Sequence, residues 1–349
     1  MKGFHAALLG AATATAATLA AAGGAAAQDE QELNLYSSRH YQSDEKLYSE
    51  FEEQTGIKIN RIEADADALI ERLKSEGANS PADVLLTVDA GRLWRAEQEG
   101  LLQPVESEVL EQKIPENLRD PENQWYGFST RARAIVYNKD AVDPAAMDLD
   151  EYEDLADPRF KGMVCIRSSS NVYNLSLLGS LIAHHGEEEA EAWAQGVADN
   201  FARPPQGGDT DQIKAVAAGE CAVGVANHYY YVRLLESDDP AEREVAEKVG
   251  VIFPNQDGRG AHINISGGGV VAGAPHPEAA VKFLEYLATD EAQKYFAEGN
   301  NEYPVVEGVA VDNPALERLG DFKRDELNVA AFGDNQPLAQ KIFDRVGWK

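Results

Sequence analysis

Apolar and polar positions alternate along the chain in two periods, one typical of strands and the other typical of helices. Residues 33–38 predict a first strand that ends in polar residues, and the apolar run 83–88 predicts a buried one. Leu47 and Phe51, four residues apart, predict one face of a helix that Gly56 ends. Strands and helices keep alternating through both halves of the chain, which predicts βαβ units. Among the later elements, we predict helices at 66–76, 175–184, 232–235 and 277–287, and strands at 134–137 and 263–271.

The domain organisation follows from this rhythm, because no low-complexity linker separates the two halves. The chain is too long for one compact core and suits two domains of ordinary size. We therefore predict an α/β fold of two lobes around a ligand cleft, each lobe with a mixed, mainly parallel sheet flanked by helices. The boundaries that we expect are 28–131 and 260–304 for the N-terminal lobe, and 132–259 and 305–349 for the C-terminal lobe. Extended crossings between the lobes are expected near 131–136, 253–263 and 303–306.

Residues 1–27 have the pattern of an export signal. Lys2 is followed by an alanine-rich apolar run at 6–22 and by small residues at 25–27. No later stretch is long and apolar enough to predict a membrane span. We therefore expect a cleaved signal peptide and a soluble protein exported to a bacterial periplasm.

The charge of the chain narrows the choice of partners. Asp and Glu number 60 against 31 Lys and Arg, which gives a formal net charge of −29. This excess argues against nucleic acids and anionic membrane surfaces as partners. The acids are spread along the whole chain, as in a solubilising coat. The alternative interpretation is that they concentrate cations near the surface.

The two cysteines, Cys165 and Cys221, both fall in predicted strands of the middle segment. An even pair in an oxidising compartment indicates one disulfide. Two buried free thiols are the alternative. Neither cysteine has a second cysteine or a histidine at metal-ligand spacing.

Polar and aromatic residues follow three of the predicted strands, at 38–41, 168–173 and 227–231. Open α/β sheets bind ligands at the carboxyl ends of their strands, so the three segments are expected to face one cleft. The last segment ends in three consecutive tyrosines, a pattern that suits neither a strand nor a helix. Taken alone, this segment predicts a metal site, an aromatic plug or a sugar-stacking platform.

These segments resemble those of ferric-ion-binding periplasmic proteins, the substrate-binding components of bacterial iron ABC importers. Further similarity lies in Leu-Tyr-Ser-Ser-Arg-His-Tyr at 35–41, Ser-Pro-Ala-Asp-Val-Leu-Leu-Thr-Val-Asp at 80–89 and Pro-Asn-Gln-Asp-Gly-Arg-Gly at 254–260. The resemblance implies the class II periplasmic binding-protein fold, a monomer, ferric iron as cargo and an inner-membrane ABC permease as partner. It also implies five iron ligands, which are His40, Tyr41, Tyr173, Tyr229 and Tyr230.

The chemistry of these residue types agrees with the resemblance. Ferric iron is a hard acid that favours anionic oxygen over sulfur, and a neutral imidazole can complete its shell. Some relatives add carbonate or phosphate to the shell. Arg131, Ser168 and Ser170 are the residues that we expect to hold such an anion, because guanidinium binds a planar oxyanion through two hydrogen bonds. The alternative for Arg131 is a salt bridge at the hinge.

Two other functions remain open from the sequence. A binding protein of the same fold could take an organic anion or a polyamine. A secreted hydrolase is the other alternative, because Ser43 and Lys46 match a Ser-x-x-Lys pattern. That match has no companion motif and the chain has no Gly-x-Ser-x-Gly, His-Glu-x-x-His or phosphate-binding glycine motif, so we do not expect an enzyme.

Overall fold

The computed structural model describes residues 1, 3, 31–39, 41 and 43–349. His40 and nearly all of the predicted signal peptide lie outside the described residues. The strands, in chain order, are β1 Glu32–Ser37, β2 Lys58–Glu63, β3 Val84–Val88, β4 Leu102–Gln103, β5 Tyr126–Asn138, β6 Val164–Cys165, β7 Val223–Asn227, β8 Val249–Ile252, β9 Ile263–Val271 and β10 Tyr303–Pro304. The helices are α1 Asp44–Thr55, α2 Ala66–Glu76, α3 Ala90–Gln98, α4 Glu108–Lys113, α5 Val172–His185, α6 Glu187–Asp199, α7 Asp209–Ala217, α8 His228–Glu236, α9 Pro240–Lys248, α10 Pro277–Leu287, α11 Asp290–Asn300, α12 Pro314–Glu317 and α13 Ala330–Val346. Within the described ranges, no helix is apolar over a length that could cross a membrane.

The strands form one mixed sheet in the order β2-β1-β3-β9-β5-β7-β6. The pairs of β1 with β2 and β3 are parallel, as is the pair of β6 with β7. Strands β5 and β9 pair antiparallel with their neighbours, and antiparallel pairs outnumber parallel ones in the described part of the chain. The expectation of mainly parallel pairing is therefore wrong. The predicted mixed α/β fold is confirmed.

Strand β5 belongs to both halves of the sheet. Its first part pairs with β9 as far as Ala132, and from Arg133 onwards it pairs with β7. The sequence predicted a shorter strand around residues 134–137, whereas the structure has 13 continuous residues. A single strand therefore connects the regions on either side of the tyrosine cluster.

Strand β9 carries three consecutive glycines where its neighbours come close. A Cβ at Gly268 would lie 2.6 Å from the carbonyl oxygen of Leu85, and one at Gly269 would lie 2.2 Å from that of Gln124. Side chains at these positions would therefore push the flanking segments away. The glycines that interrupt this strand in the sequence are required by its packing.

Buried apolar side chains form three clusters in the described part of the chain. The first joins β1, β3 and β9 to α1, α2 and α10, the second surrounds α5 and α6, and the third lies between α7, α8 and α9. Helix α13 belongs to two of them, because Phe332 packs in the first cluster whereas Ile342 and Phe343 pack in the second. This helix contains Pro337 between its two packed halves.

The predicted disulfide is confirmed, because Cys165 and Cys221 are bonded with their Cα atoms 5.8 Å apart. The prediction that both cysteines lie in strands is wrong for Cys221, which precedes the first residue of β7. The bond fastens the start of β7 to the short strand β6, its parallel neighbour.

Candidate metal site

Tyr229 and Tyr230 occupy the first turn of α8, which begins at His228. We expected the helix to begin after the tyrosines, and the structure corrects this. The helix can begin early because its first residues are held from outside. The Asn227 N–H donates to Asp209 Oδ2 at 2.8 Å, and the His228 Nδ1 accepts the Ala132 N–H at 3.1 Å.

His228 is a buried structural residue rather than a candidate ligand. Because its Nδ1 accepts from Ala132, its Nε2 carries the proton and donates to the Asn301 carbonyl oxygen at 2.8 Å. Burial lowers the pKa of His228 to about 4, so the ring is neutral at pH 7. The ring also stacks on Tyr303, with the centroids 4.6 Å apart.

Tyr173 lies in the first turn of α5, which begins at Val172, three residues earlier than predicted. The Asn171 side chain caps this helix by accepting the Tyr173 N–H at 3.1 Å. The hydroxyl oxygens of Tyr173 and Tyr229 are 3.4 Å apart. The rings of Tyr229 and Tyr230 lie side by side with their centroids 4.3 Å apart.

Tyr41 reaches the same place from the segment between β1 and α1. A cavity of about 270 Å³ lies between these segments. Its lining residues are Ser38, Tyr41, Asp65, Ala66, Val88, Arg92, Tyr173, Tyr230 and Arg233. Tyr229 is completely buried beside Tyr173 and Tyr230. The structure thus brings together the four tyrosines predicted as ligands, and His40 lies outside the described residues.

The third tyrosine of the run points elsewhere. Tyr231 is 8% exposed and packs in the third hydrophobic cluster, with Val232 and Leu234. In the described part of the chain, no group of three or more His, Cys, Asp or Glu side chains could hold a metal ion. Among the described residues, the candidate donors at this cavity are therefore mainly phenol oxygens, with Asp65 as one carboxylate in the lining.

Burial and the neighbouring Arg131 act in opposite directions on the phenols of Tyr173 and Tyr229. Burial, with a contribution from Tyr230, raises the pKa of Tyr173 to about 12, and burial raises the pKa of Tyr229 well above its ordinary value. Arg131 opposes both shifts. Both phenols are therefore neutral at pH 7 until an ion displaces their protons.

Arg233 was missed in the sequence. Its guanidinium carbon lies 4.9 Å from the ring centroids of Tyr41 and Tyr229, and 5.6 Å from that of Tyr230. The position could have been found from spacing, since residues three and four apart share a helix face. Arg233 follows Tyr230 by three residues and Tyr229 by four.

A buried ion network lies beside the tyrosines and joins distant segments. Glu302 Oε1 is 2.7 Å from Arg131 Nη2, and Glu302 Oε2 is 3.2 Å from Arg39 Nη1. Arg39 also bonds Asp44, with 3.1 Å between Nε and Oδ2. Burial opposes the ionisation of Glu302, but the two arginines outweigh it and lower the pKa of Glu302 to about 2.

The residues predicted to hold an anion are not joined to one another. In the described part of the chain, the hydrogen bonds of Arg131 go to Glu302 and Ser266, as the alternative of a salt bridge anticipated. Its Nε and Nη1 have no partner among the described residues. The hydroxyls of Ser168 and Ser170 are 3.1 Å from each other.

The fold and this phenol-lined cavity define a two-lobed solute-binding protein of the periplasmic class. Residues 79–321 match the family described as bacterial extracellular solute-binding protein, and the chain belongs to that family. It is 56% identical over 321 residues to iron uptake protein A1 of Synechocystis, an alignment that covers 92% of this chain and 88% of that protein. It is also 29% identical over 306 residues to the Fe(3+)-binding periplasmic protein of Serratia marcescens, with 87% of each covered.

Solved structures give the same relationship. The Trichodesmium protein IdiA, or FutA, in complex with iron and citrate ligands has a TM-score of 0.88 and 59% identity, over 91% of this chain and all of that one. The ferric binding protein from Campylobacter jejuni has a TM-score of 0.85 and 44% identity, over 91% of this chain and all of that one. The resemblance to ferric-ion-binding periplasmic proteins seen in the sequence is confirmed.

Proposed function

We propose that this protein binds ferric iron in the periplasm and delivers it to an inner-membrane ABC permease. The observation that carries the proposal is the convergence of four tyrosines from three separate segments. Tyr41, Tyr173 and Tyr230 line one cavity, and Tyr229 lies buried against Tyr173 and Tyr230. The names of the relatives, which refer to iron uptake and ferric binding, support it.

The ion would be held by the phenolate oxygens of Tyr41, Tyr173, Tyr229 and Tyr230, with His40 as a fifth ligand. Phenolates are hard anionic donors, so several of them neutralise a trivalent ion and disfavour a divalent one. Each phenol must lose its proton to bind, which makes iron uptake a proton-releasing step. Arg233 and Arg131 lie close enough to balance the negative charge that remains on the complex.

An oxyanion would complete the shell. Arg131 retains two nitrogens, Nε and Nη1, without a partner among the described residues, and its guanidinium carbon is 5.6 Å from the Tyr229 ring centroid. Ser168 and Ser170 would contribute after a local rearrangement. Carbonate fits the planar fork of arginine, and citrate accompanies iron in the Trichodesmium relative.

Binding would be coupled to closure of the two lobes. With the boundaries expected from the sequence, Tyr41 belongs to the N-terminal lobe and the other three tyrosines belong to the C-terminal lobe. The ion can then favour the closed form only through bonds made from both lobes. A permease could distinguish the loaded protein by that closed shape.

The test is a ferric titration of the purified protein, followed by its visible spectrum and its iron content. We expect an equimolar complex with a phenolate-to-iron charge-transfer band, and Tyr230→Phe should remove most of the band and of the affinity. Tyr231→Phe is the matched control, since it deletes the same atom one residue away in the hydrophobic cluster. Full colour in Tyr230→Phe, or a colourless complex with an organic ligand, would contradict the proposal.

A further inference from the structure

Arg133 makes a set of buried contacts that the proposed function does not yet use. It lies in β5, at the residue where the pairing partner changes from β9 to β7, and it is 1% exposed. Its Nη1 is 2.7 Å from Asp209 Oδ2 and 3.2 Å from Asn227 Oδ1. Its Nη2 donates to Asn174 Oδ1 at 3.0 Å. One guanidinium therefore holds three buried oxygen acceptors.

Two of these partners are neighbours of the proposed ligands. Asn174 directly follows Tyr173 in α5, and Asn227 directly precedes α8, two residues before Tyr229. Arg133 thus joins the start of the helix that carries Tyr173 to the start of the helix that carries the tyrosine pair.

The partners of Arg133 are held by further hydrogen bonds, so a shift of Arg133 would also shift the helix starts beside them. Asn174 Nδ2 donates to the carbonyl oxygens of Arg167 at 2.8 Å and Ser168 at 3.1 Å. Asp209 Oδ2 accepts the Asn227 N–H at 2.8 Å. Two of the three acceptors of Arg133, Asn174 and Asp209, are therefore fixed to backbone segments, and the third, Asn227, belongs to the residue whose N–H Asp209 accepts.

The phenol oxygens of Tyr173 and Tyr229 lie about as far apart as two oxygens that bind the same metal ion. Two oxygen ligands about 2 Å from one ion, at right angles, lie roughly 3 Å apart. The hydroxyl oxygens of Tyr173 and Tyr229 are 3.4 Å apart, close to that separation before any ion is bound. Arginine suits this role because its donors form a rigid planar fork, whereas lysine offers one compact charge.

We propose that Arg133 is a positioning residue for ferric binding, which sets the separation of the Tyr173 and Tyr229 oxygens by joining α5 to α8. The inference rests on the proposed function, and it assigns a role in iron binding to Arg133 although Arg133 is not itself a ligand. The competing explanation is that Arg133 only neutralises Asp209, which also has Arg167 at 3.5 Å. That explanation predicts a loss of stability with no effect specific to Tyr173.

The experiment is a double-mutant cycle between Arg133→Met and Tyr173→Phe, with ferric affinity and the energy of the visible band as readouts. We expect Arg133→Met to weaken ferric binding by about 10- to 100-fold, as is typical of residues that orient metal ligands. In the Tyr173→Phe background the same substitution should cost less than about threefold, because the oxygen that Arg133 places is already gone. The band should shift in Arg133→Met and stay where it is in Ile342→Ala, a control that lowers stability from the second hydrophobic cluster.

Arg133→Lys keeps the charge beside Asp209, so it tests the proposal if Arg133→Met does not fold. It should fold and still lose a large part of the affinity, because lysine cannot hold both asparagines. Wild-type affinity and band in Arg133→Lys, or equal losses in the two backgrounds, would overturn the role of Arg133. If the wild type itself takes up no ferric iron, the proposed function fails as well, and the two failures are thereby distinguished.

Discussion

The two sides of the phenol cavity are built differently. Tyr173, Tyr229 and Tyr230 lie in the first turns of two helices, and buried side chains of neighbouring residues hold those helices together. Tyr41 lies in the segment between β1 and α1, where Arg39 and Arg233 contact its ring. We therefore expect the helical side to keep its geometry without metal and the Tyr41 side, which lies in a loop, to adjust when metal binds.

The helix ends explain part of this difference. The N-terminus of a helix carries a partial positive charge that favours anions in its first turn. Tyr173, Tyr229 and Tyr230 would all gain from this charge when they become phenolates. Tyr41 precedes the start of α1, so it does not gain from a helix N-terminus. The guanidinium groups of Arg39 and Arg233 lie over its ring instead. We therefore expect iron to bind first to the helical side and to draw in the Tyr41 side afterwards.

The largest expected effect comes from Glu302→Gln, which removes the carboxylate that joins Arg39 to Arg131. Removing one partner leaves buried positive charge unbalanced, so the free energy of unfolding at pH 7 should fall by about 3–5 kcal/mol. The pKa of Glu302 is depressed to about 2, so its contribution is present above the ordinary value of 4.5 and is lost as the pH falls towards 2. Urea unfolding at pH 7 and pH 3 should therefore show a smaller difference at pH 3. An equal difference at both values would show that the charge of Glu302 does not stabilise the Tyr41 side.

The next effect concerns the helical side and its disulfide. Replacing both Cys165 and Cys221 by serine should lower the free energy of unfolding by about 4 kcal/mol before native strain is considered, for a loop with a sequence separation of 56. Because α5 and α8 are also joined through Arg133, ferric affinity measured where the variant is fully folded should change by less than about threefold. A large loss of affinity would mean that the disulfide, rather than the polar contacts, sets the tyrosine geometry.

The smallest effect is expected from the loop side. A His40→Ala, Tyr41→Phe double variant should still bind ferric iron through the three helical tyrosines, with affinity reduced by at least about tenfold. Iron should lower the radius of gyration of the wild type, because the lobes close around it, and should lower that of the variant less. Small-angle scattering with and without ferric iron measures both. Identical radii of gyration for the metal-free and iron-loaded wild type would show that the Tyr41 side does not move towards the helical side when iron binds.

Much of the fold could be predicted because its signals are local. Helices α2 and α10 and strand β9 have the bounds that the sequence indicated, since proline, glycine and apolar periodicity mark their ends. The cysteine pair was predicted for a related reason, because an even pair in an oxidising compartment indicates a disulfide. The four tyrosines were proposed as ligands through the resemblance to ferric-ion-binding proteins, and that role remains a prediction. His40 and the export segment remain predictions, because they lie outside the described residues.

Contacts between distant segments decided the rest. The early start of α8 depends on Asp209 and Ala132, and residue periodicity does not register such distant partners. The early start of α5 depends instead on the adjacent N-cap Asn171, a local signal that apolar periodicity alone passes over. Periodicity also does not reveal the ion pair of Arg131, whose partner Glu302 is 171 residues further along the chain. The sequence, through its family resemblance, thus indicated which residues to expect as ferric ligands. The tertiary structure decided how far apart their oxygens lie and which arginines face them, because hydrogen bonds and ion pairs depend on distances that only the folded chain defines.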